Sequence, residues 1–278
     1  MDDVPYLLRG INVLQTQSSV LISSSKYLND PRLREWVATE LLRKNGPDVP
    51  TPSGAFKLGQ IMKEIQDPAE INRLIAEERK RWPVLDKWFA LRRVSTYTRE
   101  DLKKYAPDSI AGIFYKQLIS NDYQVDIVPP TEPKDDNDFW RLRAVQTHDW
   151  EHILGSGGFD SIGELVPGFM RLASYYKYFS PELAGEFTAR QFFLSFRFIS
   201  RTALHYPHTW HATWDAIDRG RTIGETSEPF FLVNYEDYFH LTPAEAREAI
   251  GIRNVREADT TLVSKVWDGK MTPEEAGL

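Results

Sequence analysis

One helix-start signal recurs along this chain and constrains its fold more than any other feature. A capping residue is followed at once by proline at Asp30-Pro31, Asp67-Pro68, Ser180-Pro181, Thr242-Pro243 and Thr272-Pro273. A short polar side chain accepts from the free N–H groups of a first turn, and proline suits the first position because its missing N–H has no partner to lose. Glu70, Glu245 and Glu275 stand three residues after their caps, which predicts capping boxes. Behind these signals, segments 31–44, 68–81 and 181–204 repeat apolar residues at three- and four-residue spacing, whereas strict alternation is scarce. The expectation is an all-α fold, a single mostly helical domain over residues 1–278, with a short extended piece at 230–235.

Composition narrows the function. A formal net charge of -6 argues against a nucleic-acid partner, which needs a basic surface to displace counterions. The chain has no cysteine, so thiolate metal sites and cysteine nucleophiles are excluded, and any metal must be held by histidine and carboxylate. The opening MDDVPYLLRG has neither the basic, apolar text of a signal peptide nor the Arg-rich text of a transit peptide. No stretch approaches eighteen apolar residues. A cytoplasmic protein, touching membrane only peripherally, is expected.

The conspicuous non-helical stretch runs from 121 to 138, where Pro129, Pro130 and Pro133 sit among six acids and one lysine. It reads as a surface loop and a boundary. All six histidines follow it, which places the expected site in the second half.

There, residues 137–154 read as one helix ending at Gly155-Ser156-Gly157-Gly158, where the left-handed conformation is cheap for glycine. At about 100° per residue, His152 lies about 40° and Asp149 about 100° from His148. The three share a face, and Trp150 points to the opposite side, toward the core. The glycine turn then brings a second helix, capped by Ser161, back with Glu164. This helix-turn-helix offers two imidazoles and two carboxylates, a set suited to zinc, manganese or iron(II) and less typical of magnesium. Alternatives stand beside it. Paired histidines occur on ordinary helices, Glu164 fits a plain capping box after Ser161, and Asp149 suits the role of orienting an imidazole. A zinc peptidase of the HExxH type fits poorly because Asp149 replaces the glutamate, and a His-Asp phosphohydrolase lacks its upstream histidine.

On these residues the chain resembles the coenzyme Q (ubiquinone) biosynthesis protein 4 family, whose signature is HDxxH, eleven residues, then Glu. His148-Asp149-xx-His152, eleven residues and Glu164 reproduce it without a gap. The likeness continues through Gly163-Glu164, 214–220, Tyr235-Glu236 and 247–252, with an earlier Pro52-Ser53-Gly54 and Gly59. It is carried by residues 139–252, and residues 1–120 form a divergent helical region. The resemblance implies a divalent metal, usually zinc, at His148, Asp149, His152 and Glu164. It also implies oxidative decarboxylation of a polyprenylated hydroxybenzoate, with His148, Asp149 and Glu164 as candidate catalytic residues. The alternative is a non-catalytic isoprenoid-binding scaffold; a metal-dependent hydrolase is more remote. The partners implied are an isoprenoid lipid, a membrane surface, other quinone-biosynthesis proteins and a second copy in a homodimer.

A polyprenyl ligand needs an apolar groove. The helix over 181–204 carries Phe187, Phe192, Phe193, Phe196 and Phe198, while Arg190, Arg197 and Arg201 recur within about 20° of one stripe. Arg190, Arg197, Arg201 and Phe193 are therefore candidate lipid contacts on an interfacial helix, against the plainer reading of a core helix with a solvated basic face. The Met and Tyr residues of 170–178 read as core. His205, His208 and His211 read as helix-end residues, or as a second metal cluster if the backbone is irregular there.

Overall fold

A computed structural model describes residues 22–42, 44–45, 51–121 and 132–278, with the helical backbone alone at 51–53. The described chain is helical throughout and contains no strand, as the start signals predict. A short α1 (Lys26–Asn29) leads into α2 (Pro31–Leu42), α3 (Thr51–Ile65) and α4 (Pro68–Arg81). The Asp67 carboxylate accepts from the Ala69 and Glu70 N–H groups at the head of α4. Trp82, in extended conformation, both ends α4 and precedes Pro83, so α5 (Pro83–Leu91) begins as a separate helix. Then come α6 (Arg99–Lys103), set by a Thr98–Asp101 capping box, α7 (Ile110–Asn121) and α8 (Asp136–Gln146). The second half holds α9 (His148–Gly155), α10 (Leu165–Tyr178), α11 (Pro181–His205), α12 (Trp210–Thr226), α13 (Pro243–Ile250) and α14 (Thr261–Trp267).

Several local expectations are corrected. Glu70 pairs with Arg73 instead of closing a capping box, and the Thr272–Glu275 box closes only a turn near the chain end. The extended piece expected at 230–235 is a pair of tight 3-10 turns, Phe230–Leu232 and Tyr235–Tyr238, which bury Phe230, Phe231 and Tyr235. In the acidic loop, residues 122–131, with Pro129 and Pro130, lie outside the described residues. Its end is structural: Asp135 caps α8, while Asp136 pairs with Arg79 and Arg92.

The main core runs from α4 to α14, and a smaller cluster joins α2 and α3 to α11 through Trp36, Leu58, Met62 and Phe193. The tightest helix pair is α10 with α12, because Gly220 and Gly224 let their backbones meet: a Cβ at either would overlap the carbonyl oxygen of Val166 or Met170. Met170 and Tyr175 belong to the core, although Tyr176 is exposed.

The basic stripe of α11 is divided between surface and interior, with Arg190 exposed. Arg197 and Arg201 are buried, each with Nη1 3.5 Å from the Glu40 carboxylate of α2, and their guanidinium groups lie over the Trp267 ring. A guanidinium withdrawn from water costs several kcal/mol unless it is paired, and buried Glu40 supplies that pair. Phe193 likewise packs inside the smaller core. Among the described residues, no helix is long and apolar enough to cross a membrane.

Candidate metal centre

The helix expected over 137–154 breaks at Thr147. The Thr147 N–H bonds the Arg143 and Val145 carbonyls, and its hydroxyl donates to Arg143 O at 2.9 Å, so the last turn of α8 closes on itself. The Thr147 oxygen accepts from Arg171 Nη2 at 3.1 Å, which ties the break to α10. Beginning afresh, α9 carries His148 at its first position and His152 one turn on, while Trp150 is buried in the core on the other side.

The end of α9 also differs from expectation. The left-handed residue is Ser156, at φ 53°, and no glycine of the cluster takes that conformation. Arg247 of α13 offsets the strain by donating to the Ile153 and Leu154 carbonyls and to Ser156 Oγ. The glycines serve close approach instead: a Cβ on Gly155 would press into Met170 Sδ, and one on Gly163 would overlap the backbone of Gly158. Glu164 is not in a capping box with Ser161. It immediately precedes α10, its N–H donates to Asp160 O at 3.0 Å, and Ser161 Oγ donates to Asp268 at 2.5 Å.

The turn and the helix bring three candidate ligand residues together. His148 Nε2 lies 3.1 Å from Glu164 Oε2, His152 Nε2 lies 3.3 Å from His148 Nε2, and His152 Nε2 lies 3.4 Å from Glu164 Oε1. A tetrahedral ion with bonds of about 2.0–2.1 Å requires ligand–ligand edges of about 3.3 Å. The two Glu164 contacts are made by different oxygens; taking one ligand atom from each residue, His148, His152 and Glu164 lie within 4.8 Å of one another and are a group that could hold a metal ion. The second nitrogen of His152, Nδ1, faces Gly157 O at 3.2 Å and Gly158 O at 2.9 Å. It must donate to them, which leaves Nε2 directed at the group. Asp149 is not in the group, but it lines the same cavity and its charge reaches His152.

The three groups are electrostatically coupled to one another. Burial lowers the His152 pKa, yet the Glu164 carboxylate, Asp149 and the Gly157 carbonyl override it and raise the value to about 9. Burial raises Glu164, and His152 and His148 override that to hold it well below the usual carboxylate range. Behind the helix, wholly buried Glu151 takes a two-pronged pair from Arg171, with Nε at 2.6 Å and Nη2 at 2.9 Å. Burial lowers Arg171, but Glu151 more than reverses it.

His148, Asp149, Glu164 and Leu165 form part of the wall of a cavity of about 1680 Å³. His152 closes the group from behind, buried beneath the Phe159 ring, which stacks on it at 4.9 Å. Trp140 and Phe187, stacked 4.2 Å apart, supply apolar wall. The first half of the chain reaches this cavity too, through Ala55, Gly59, Gln66, Ser95 and Tyr97, so the site is not confined to the second half. Of the α11 candidates, Arg190 and Arg197 line the cavity, whereas Arg201 and Phe193 do not. His205 bonds Leu41 O at the end of α11, His208 lies in the 3-10 turn Pro207–Thr209 and His211 in α12. Among the described residues these three form no ligand group.

Sequence reasoning missed Arg141 and Arg171 in the cavity wall. A signal for Arg171 existed: it is the one charge in the first ten residues of α10, LVPGFMRLAS.

Fold and site together define a class: an all-α protein with a His-His-Glu group on the wall of a large open cavity. No family model matches the sequence, and no curated protein matches it. Among solved structures, the fold is similar to that of a Nostoc punctiforme PCC 73102 protein assigned by name to ubiquinone biosynthesis. The TM-score is 0.58 at 16% identity, over 80% of this chain and 95% of that one. At that identity the likeness is one of fold.

Proposed function

We propose that this protein acts in ubiquinone biosynthesis as a metal-dependent enzyme that removes the ring carboxylate, oxidatively, from a polyprenylated hydroxybenzoate. The observation that carries the reading is the opening of the His148–His152–Glu164 group, whose ligand atoms lie within 4.8 Å of one another, onto a cavity large enough for an isoprenoid chain. The unbroken HDxxH-x11-E spacing and the named function of the Nostoc punctiforme protein support it.

The three residues would hold a divalent metal, zinc best by its preference for nitrogen ligands in tetrahedral sites, with manganese, iron or magnesium as poorer matches. Bound there, the metal would act as a Lewis acid toward a carboxylate or phenolate oxygen. His152, fixed by the Gly157 and Gly158 carbonyls, keeps the group in register. Asp149, in the wall but outside the ligand group, is placed to exchange a proton with a ring oxygen. Trp140, Phe187 and Leu194 exclude water from the apolar part of the ligand. The protein would meet a bilayer peripherally to load such a ligand.

Two measurements test this. Elemental analysis of purified protein should find about one divalent metal per chain, lost in the His148→Ala, His152→Ala double variant; no metal in the unaltered protein sinks the reading. Incubation of metal-loaded protein with a prenylated hydroxybenzoate and oxygen should release CO2 above an Asp149→Asn control. Tight lipid binding without CO2 would move the assignment to a non-catalytic scaffold.

A further inference from the structure

Two arginines from other helices hold the turn that follows α9, and one of them, Arg219 of α12, sits where a charge is costly. Arg219 is buried, and its Nη1 donates to Ser156 O at 3.0 Å and, more weakly, to Arg256 O at 3.4 Å. Its Nε donates to Asp215 Oδ2 at 3.0 Å, while Nη2, buried as well, has no hydrogen-bond partner among the described residues. A buried guanidinium left partly unsatisfied is a poor way to stabilise a helix, since apolar side chains of similar bulk often serve a fold as well or better. Asp215 does not depend on it either: partly exposed, that carboxylate also pairs with Arg256 at 2.6 Å. The contact that Arg219 alone supplies is the one to Ser156 O.

That contact holds a peptide plane. Ser156 stands in the left-handed region at φ 53°, which L side chains seldom adopt. The peptide joining it to Gly157 is gripped at both ends, its oxygen by Arg219 and its N–H by the His152 carbonyl at 3.0 Å. The next two carbonyls along the chain, those of Gly157 and Gly158, are the pair that accept from His152 Nδ1 at 3.2 and 2.9 Å. Arg247 grips the same turn through Ser156 Oγ and Leu154 O, and leaves the Ser156 carbonyl to Arg219. With the plane between residues 156 and 157 fixed, the carbonyls beyond it face the imidazole. Released, a left-handed serine can relax and carry both away.

We infer that Arg219 is a positioning residue of the candidate metal centre: by holding the Ser156 carbonyl it fixes the turn that makes His152 donate through Nδ1 and present Nε2 to the ligand group. The inference rests on the metal reading proposed above, but the Nδ1 hydrogen bond is measurable with or without metal.

The test compares Arg219→Met, Arg219→Lys and Ile223→Val with the unaltered full-length protein. Zinc affinity is measured by competition with a chelator. Exchange of the His152 Nδ1 proton with water is followed by NMR on isotope-labelled histidine, the signal being assigned by its loss in His152→Gln. Arg219→Met should lose about 10- to 100-fold in zinc affinity, the range for a contact that supports a ligand, and its Nδ1 proton should exchange at least about tenfold faster. Arg219→Lys should fall between, because an ammonium cannot span Ser156 O, Asp215 and Arg256 O as the planar fork does. Ile223→Val trims a buried side chain one turn along α12, so it should lower the melting temperature and leave both readouts within about twofold. Values within about twofold of the unaltered protein in Arg219→Met overturn the inference, as does an equal loss in Ile223→Val. If the unaltered protein takes up no zinc, the metal reading fails and the exchange rate alone decides the role of Arg219. Should Arg219→Met fail to fold, Arg219→Lys decides, and values within about twofold there overturn the inference.

Discussion

Each imidazole has two nitrogens, and the atom opposite the candidate ion decides what a histidine can do. His152 spends Nδ1 on two backbone carbonyls, so only Nε2 can serve as a ligand, and the proton it carries there must leave before a cation binds. With Glu164 holding the His152 pKa at about 9, metal and proton compete throughout neutral pH. The folded-state value lies above the ordinary imidazole range, so the competing proton is present below about pH 9 and lost above it. Metal affinity should therefore rise about tenfold per pH unit up to about pH 9 and then flatten. Titration with zinc at several pH values, followed by competition with a chelator, checks this; a flat profile from pH 6 to 9 would contradict the pairing with Glu164. Glu164→Gln should abolish the slope and also weaken binding, since it removes both the ligand charge and the cause of the raised pKa. At this scale the sequence was legible where helical spacing sufficed: His148 and His152 meet because they are four residues apart. Asp149 illustrates the limit. Its angle of about 100° puts it on the same broad face, yet the ligand group forms without it.

Elements set by local chemistry were readable, and elements set by distant partners were not. Asp67, Ser180 and Thr242 cap helices where expected because a cap and its N–H groups lie within four residues. The break at Thr147 depends on Arg171, and the left-handed turn at Ser156 on Arg247, residues 24 and 91 positions away along the chain. The turn over 157–164 is likewise held from afar. The Asp160 carboxylate accepts from the Gly163 N–H, the Thr260 hydroxyl and the Ser264 hydroxyl, while Ser264 Oγ also accepts from the Ile162 N–H. The short terminal helix α14 thereby fixes the loop that delivers Glu164. Removing such a supporting contact commonly costs about 10- to 100-fold in metal affinity. Asp160→Ala should show a loss of that order, with helical circular dichroism retained and the metal recovered at higher concentration. Unchanged affinity would mean that Glu164 is positioned by α10 alone.

At the scale of the whole molecule, the α10–α12 contact decides whether the site assembles. Val166 stands two residues beyond Glu164, and its carbonyl oxygen fills the space above Gly220 that a Cβ would need. Gly224 does the same one turn later against the Met170 carbonyl. The contact lies within backbone, which cannot rotate aside as a side chain can, so Gly220→Ala has to push the helices apart. Overpacking of this kind costs about 1–3 kcal/mol, and an approach of 2.4 Å to a backbone oxygen belongs at the upper end, beyond the roughly 1 kcal/mol that alanine returns through better helix propensity. The same displacement shifts Glu164 relative to His148 and His152, so stability and metal affinity should fall together: a melting temperature lower by several degrees, about 2–4 °C per kcal/mol in a domain of this size, and weaker zinc binding. Arg221→Ala on the exposed face of α12, where the side chain pairs with Asp218 and Glu225, should leave both within error, because exposed ion pairs contribute about 0–1 kcal/mol. Differential scanning calorimetry with and without zinc separates the two effects. If Gly220→Ala melts with the unaltered protein yet loses zinc, the helix contact positions the ligand without stabilising the fold; if it destabilises but keeps zinc affinity, Glu164 is held by the α14 clamp and not by the register of α10.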